Sequence, residues 1–289
     1  MIRLAFAGLA PARVDQLLDR YASPERVVAS IERHRVNASE RIRASVAVDA
    51  ETRKQQLVDL GVTLRFRGTS GFPERLVAYD GHPRWLFARG DDLQGPAIGI
   101  VGTRACTAYG LELAEMYGAV AADRGWSVVS GLARGIDGAA HRGATNAGGH
   151  CHAVLGSGVD VVYPAGHRGL YEKVLSTGGM ISSEFPPGTR PDAWRFPMRN
   201  RIIAGCSDVL LVVEAGLKGG ALITARIALD YGVPVYAVPG DVDRSTSVGT
   251  NLLIRDGAFP VLGPEDLAEV LSLLEPIYGP NADPAQAGG

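Results

Sequence analysis

The chain has 289 residues, 46% hydrophobic and 21% charged, enough for one large domain and a small one of ordinary globular composition. No run of 18 apolar residues occurs, so no membrane span is expected, and Met1-Ile2-Arg3-Leu4-Ala5-Phe6 lacks the long apolar stretch of a signal peptide. The formal net charge of −2 excludes a global basic excess, so any nucleic-acid partner has to meet a local patch.

Residues 1–62 read as a small helical domain. Val14-Asp15-Gln16-Leu17-Leu18 and the stretch from Pro24 to Ile31 have helical apolar spacing, and Ser23 before Pro24 predicts an N-cap with proline at the first helical position. A charged stretch from Glu40 to Leu60 carries its apolar residues more sparsely. Gly8-Leu9-Ala10 is the one candidate turn of a helix-hairpin-helix, a motif that touches DNA backbones; the alternative is a packing module. Residues 63–97 read as a connecting region, because Phe72-Pro73, His82-Pro83 and Trp85-Leu86-Phe87 break any regular period.

From residue 98 strands alternate with helices. The strands are predicted at Ile98–Val101, Ser127–Val129, Cys151–Leu155, Met180–Ser182, Val209–Val213 and Pro234–Val238, with helices between them and a last one from Glu265 to Leu274. Short, nearly continuous apolar strands with crossover helices predict a buried parallel sheet, and right-handed crossovers put helices on both faces. The fold class expected is therefore α/β, a Rossmann-like parallel sheet over 63–275, preceded by the small helical domain and followed by a flexible tail over 276–289. Many of the 37 glycines fall just after the strands, at the carboxyl edge where such sheets bind ligands. Loops without Cβ atoms bring backbone N–H groups and helix N-termini close to a phosphate; the plainer alternative is tight turns with no ligand.

Cys106, Cys151 and Cys206 are scattered and odd in number, which points to reduced thiols in the cytoplasm. His150-Cys151-His152 opens an apolar strand, where adjacent side chains face opposite ways and do not share one metal ion. Neither a metal nor a cofactor is expected.

A series of segments carries a family resemblance. They are Ile100-Val101-Gly102-Thr103-Arg104 with Tyr109-Gly110, and Ser130-Gly131-Leu132-Ala133-Arg134-Gly135-Ile136-Asp137 with Ala140-His141. Next come Ala153-Val154-Leu155-Gly156-Ser157-Gly158 with Tyr163-Pro164, and Ser183-Glu184 with Phe196-Pro197-Met198-Arg199-Asn200-Arg201. Then follow Val213-Glu214-Ala215, Ala221-Leu222-Ile223-Thr224-Ala225, Val238-Pro239-Gly240, and Gly249-Thr250-Asn251 with Gly257-Ala258. In order and spacing, over about residues 63–265, the chain resembles the DprA/Smf family of DNA-processing proteins. The resemblance implies a non-enzymatic protein that binds and protects single-stranded DNA, promotes loading of the RecA recombinase in natural transformation, and forms a homodimer through surfaces late in the sheet domain, near Gly216 to Arg255.

The DNA-binding residues expected on this basis are Gly102, Arg104, Ser130, Gly131, Arg134, Gly135, Gly156, Gly158, Phe196, Arg199, Asn200, Arg201, Lys218, Thr224, Gly249 and Asn251. The residues support that chemistry independently. Arg195 to Arg201 holds three arginines, one aromatic ring and no acid, with Trp194 just before it; arginine pairs with phosphate and exposed rings stack on unpaired bases. Read as an extended segment with Asn200 between them, it is expected to hold at least one of Arg199 and Arg201 in a structural role, in an Asn–Arg network that braces the loops. Arg104, directly after the first glycine loop, is the best single candidate for a phosphate contact.

Three features depart from the family pattern. Lys218-Gly219-Gly220-Ala221 stands where family members commonly carry serines, so backbone N–H groups would replace hydroxyls there. His150 often corresponds to a lysine, which implies weaker DNA binding at high pH. The sequence ends soon after the last predicted helix, so no C-terminal winged-helix-like domain is expected within it.

The strongest rival is a nucleotide phosphoribohydrolase of the LOG-like type. Its glycine stretch is followed by a glutamate for the glycosidic bond, whereas Gly219-Gly220-Ala221-Leu222-Ile223-Thr224-Ala225-Arg226 has none. A dinucleotide oxidoreductase fits poorly, since neither Gly102-Thr103-Arg104 nor Gly156-Ser157-Gly158 completes the three-glycine fingerprint. A serine hydrolase built on Ser130, Asp137 and His141 lacks a nucleophile elbow.

Overall fold

The structure is a computed structural model and describes residues 1–79, 81–93 and 95–278. Five helices open the chain: α1 (Ile2–Phe6), α2 (Pro11–Tyr21), α3 (Pro24–Glu32), α4 (Glu40–Ala47) and α5 (Ala50–Asp59). Their starts follow from local chemistry. The side chains of Ser23, Ser39 and Asp49 accept from the backbone N–H groups of Arg26, Ile42 and Thr52, satisfying donors that have no partner within the helix. Gly8, at φ 69°, turns the chain between α1 and α2, where the candidate hairpin was expected.

Residues 63–97, read above as a connecting region, contribute two strands, β1 (Thr63–Phe66) and β2 (Trp85–Gly90). They pair antiparallel with each other, and β2 pairs antiparallel with β6 (Met180–Ser183). Trp85, Leu86, Phe87 and Ala88 are all buried, so β2 shows no alternation to signal a strand.

The remaining elements are β3 (Ala97–Val101), α6 (Ala108–Asp123), β4 (Ser127–Ser130), α7 (Ile136–Asn146), β5 (Cys151–Val154), α8 (Arg168–Ser176), β6, α9 (Arg195–Gly205), β7 (Val209–Val212), α10 (Gly220–Asp230), β8 (Val235–Ala237), α11 (Val248–Arg255), β9 (Phe259–Pro260) and α12 (Pro264–Tyr278). The sheet order is β1-β2-β6-β5-β4-β3-β7-β8-β9, parallel from β6 through β9. This is the expected Rossmann-like α/β sheet, with two antiparallel strands added at one edge. The expected last helix runs on to Tyr278, and the rest of the expected tail, 279–289, lies outside the described residues.

Side chains alternate between two cores. Ile98, Ile100, Val209 and Leu211 face one, which holds the buried residues of α6, α7 and α8; Val101, Leu210 and Val212 face the other, under α9 and α10. The first core continues without a break into the N-terminal helices through Leu4, Val14, Val27 and Ile31, and Phe6 meets Phe87 edge-on at 5.3 Å.

Two glycines set the contact between α6 and α7. A Cβ on Gly118 would overlap the Ala140 carbonyl, and one on Gly143 would overlap the Glu115 carbonyl, so backbone meets backbone. Gly143→Ala is expected to cost about 1–3 kcal/mol or more, since neither carbonyl moves without shifting a helix. Urea unfolding measures this, and an unchanged midpoint would contradict the close approach.

Candidate functional site

The order in which strands are added reverses between the parallel neighbours β3 and β7: β4, β5 and β6 lie on one side, β8 and β9 on the other. Loops leaving neighbouring strands diverge there, which opens a crevice at the carboxyl edge. It holds a cavity of about 750 Å³, lined by Gly102, Thr103 and Arg104 after β3, Asp137 of α7, Phe196, Arg199 and Asn200 of α9, and Lys218, Gly220 and Thr224 at the start of α10.

The rim is built of arginines and rings. The exposed Arg104 guanidinium lies over the Phe196 ring, 4.6 Å from its centroid, and Tyr163 approaches the same ring at 5.7 Å. Beside them Arg195 covers the Trp194 ring at 4.8 Å, and Trp194 meets Phe185 edge-on. Tyr163 is 45% and Trp194 52% exposed, so aromatic faces are open to a ligand next to cationic groups.

The floor holds two buried ionisable side chains, Arg199 and Asp137. Arg199 donates from Nη1 to the Val154 carbonyl, and its Nε has no hydrogen-bond partner among the described residues. A Cβ on Gly131 would overlap the guanidinium, so that glycine makes room for Arg199. Burial pushes Arg199 down to about 10, opposed by the Asp137 charge, so it stays cationic at neutral pH. Burial also raises the Asp137 carboxyl; Arg199, then Arg104, and the N–H groups of Gly131 and Ala133 pull it back. The cavity therefore presents fixed cationic charge close to one carboxyl group.

Six of the residues singled out from the sequence line this cavity together with Phe196: Gly102, Arg104, Arg199, Asn200, Lys218 and Thr224. Two of their side chains are engaged locally. Asn200 donates to the Gly220 carbonyl at 3.2 Å, and the Thr224 hydroxyl donates to the same oxygen at 2.9 Å. Arg134 is exposed on the loop before α7, outside the cavity. Gly135, at φ 77°, lies where a Cβ would overlap the Thr103 carbonyl, and Gly156 lets the Phe196 ring approach.

Other expected residues have structural work instead of an open group. The buried Ser130 hydroxyl donates to the Ile100 carbonyl at 2.6 Å. The Gly158 N–H donates to Thr189 and the Gly249 N–H to Ala215. Asn251 clamps Gly240, accepting its N–H and donating to its carbonyl. Arg201 forms two 2.8 Å hydrogen bonds with the buried Glu184 carboxylate and another to the Gly81 carbonyl. The segment carrying Arg199 and Arg201 is helical, not extended as read above: Pro197 sits in the first turn of α9, where no backbone N–H is required. The hydrolase constellation does not assemble, because the Ser130 hydroxyl is committed to the Ile100 carbonyl and His141 is wholly buried. Tyr163 and the Asp137 side chain join the site without having been singled out for it; both arrive from loops or helices distant in sequence.

Comparison with known proteins agrees with this geometry. The family model described as DNA recombination-mediator protein A matches residues 63–272. Protein Smf of Escherichia coli K12 is 42% identical over 202 residues, covering 69% of this chain and 54% of the relative. A putative DNA processing protein DprA of Mycobacterium tuberculosis H37Rv is 41% identical over 228 residues, 78% of this chain and 58% of the relative. The chain thus spans a little over half the length of these relatives. Among solved structures, DNA processing protein A of Streptococcus pneumoniae superposes with a TM-score of 0.76 at 28% identity, covering 92% of this chain and 95% of that one. DNA processing protein A of Helicobacter pylori, described for its single-stranded DNA binding mode, gives 0.65 at 26% identity over 73% and 96%. The chain belongs to the DNA recombination-mediator protein A family, the DprA/Smf proteins.

Proposed function

We propose that this chain binds single-stranded DNA along the carboxyl edge of its sheet, as a homodimer, and passes the strand to a RecA-type recombinase without catalysing a reaction on it. The observation that carries the reading is the alternation of rings and arginines at the switch point: the exposed Tyr163 and Trp194 and the half-buried Phe196, beside Arg104 and Arg195. Rings of this kind stack on unpaired bases, which a duplex hides, and arginines take phosphates without regard to sequence. The dimer and the recombinase partner are carried over from the family, whose description names it a recombination mediator.

A gel shift tests the ligand class. Single strands are expected to bind more tightly than blunt duplex of the same length, and equal affinity would overturn the proposal. Arg104→Ala is expected to weaken binding of every sequence alike and to lower the log–log salt slope by about 0.7, the value of one phosphate contact on a single strand. Its fold should survive, because the side chain is exposed and fills no core. Lysine in its place should rescue only partly, having no planar fork.

A further inference from the structure

We infer that the loop joining α3 to α4 is a second contact for the DNA backbone, separate from the cavity at the switch point. Residues 33–43 hold Arg33, Arg35, Arg41 and Arg43 against a single acid, Glu40, in a chain whose overall charge is −2. Arg33, Arg35 and Arg41 are exposed and Arg43 is half-buried. None of the four forms an ion pair among the described residues, whereas the neighbouring carboxylates are engaged elsewhere: Glu32 with Arg3, Glu51 with Lys54, and Asp49 with Thr52.

The loop is held in shape. The Ser30 carbonyl accepts from both Arg35 and Val36, Val36 is buried as an anchor, and His34 between the arginines adopts φ 56°. A left-handed conformation costs a non-glycine residue roughly 1 kcal/mol, and glycine would avoid that cost. Arg41 stands in the first turn of α4, the end of a helix that disfavours cations by about 0.3–1 kcal/mol. Arg33 at the end of α3 is accounted for by the dipole of that helix, but Arg41 is placed against its own. A local excess of unpaired guanidinium groups, with Arg41 held where helix stability does not favour it, fits a chain of phosphates.

The N-terminal helices pack on β2, four strands from β3, which is roughly 20 Å across the sheet. Contact with both the cavity and the N-terminal helices therefore requires a DNA strand that spans at least that distance. The inference takes from the preceding proposal only that the ligand is DNA.

The experiment uses the full chain, a fluorescent oligonucleotide of about 6 nucleotides and another of about 30, bracketing ordinary single-site lengths. Replacing Arg33, Arg35, Arg41 and Arg43 together with alanine is expected to leave the short strand unaffected. For the long strand it should lower the salt slope by about 3, from four contacts of about 0.7 each, and the low-salt affinity roughly tenfold. Four lysines should restore most of that slope, which a packing role would not do. An unchanged slope on the long strand, or an equal loss on both lengths with circular dichroism intact, overturns the inference. A parent protein that binds the long strand through these arginines but not the short one would sustain the inference and overturn the cavity reading. Binding of neither length overturns both.

Discussion

Arg201→Ala is expected to lower the stability of the fold by about 3–5 kcal/mol at neutral pH and to leave the DNA affinity of the folded protein unchanged. Arg201 follows Arg199 and Asn200 in a segment that reads as a phosphate clamp, yet its guanidinium holds Glu184 in a forked pair with only 7% of the Glu184 side chain exposed. Removing the arginine leaves a carboxylate that burial already raises, with its main compensation gone. The pH dependence has a definite sign. Glu184 in the variant binds a proton more readily folded than unfolded, so the deficit is greatest at neutral pH and narrows in acid as the carboxyl is neutralised. Urea unfolding at two pH values reads the deficit, and Arg201→Met with Glu184→Gln should recover much of it by removing both charges. A stable Arg201→Ala protein that no longer binds DNA would return Arg201 to the site.

That arginine shows where sequence reasoning reaches its limit. The parallel strands were legible because they are buried on both faces, and a continuous run as short as Val209-Leu210-Leu211-Val212, ending at a glycine loop, suits a strand covered on both sides. The edge strands were not, because β1 is four residues long and β2 is apolar without alternation amid prolines and glycines. Much of the cavity wall was legible too, since the glycine loops mark the carboxyl edge and Arg104 and Phe196 stand on it. What the sequence does not distinguish is a polar group offered to a ligand from one that satisfies the backbone. Ser130 ends β4 and Asn251 stands in α11, both next to loops, but their side chains complete hydrogen bonds to Ile100 and Gly240. Such loops need capping groups of the same residue types that bind phosphate, so composition alone does not separate the two. Arg199 and Arg201 differ only in which way α9 turns them, and no apolar period over Arg195 to Arg201 announces that helix.

The second large effect concerns His152, a residue first considered for a metal tract and found wholly buried in β5. Its Nε2 pairs with the Ser182 hydroxyl at 2.7 Å, and its Nδ1 has no partner among the described residues. Burial pushes its pKa down to about 3 from an ordinary 6.5, with the Arg65 charge and His141 acting in the same direction. The folded chain therefore keeps this imidazole neutral down to about pH 3, while the unfolded chain protonates it below about 6.5. Unfolding takes up a proton in that window, so this group makes stability fall as pH falls, by about 1.4 kcal/mol per pH unit, and contributes nothing above it. Asp137, Glu184 and Asp208 act oppositely, because burial raises their carboxyls and the folded state gains protons before the unfolded one. The total slope mixes these groups, but a difference between two proteins isolates one of them. His152→Gln keeps a neutral donor and acceptor near Ser182 and removes the titration. Its stability relative to the parent is expected to be flat above pH 7 and to improve steadily in acid, by about 3 kcal/mol between pH 6.5 and 4. Parallel curves for parent and variant across that range would mean that the buried imidazole takes up its proton without unfolding.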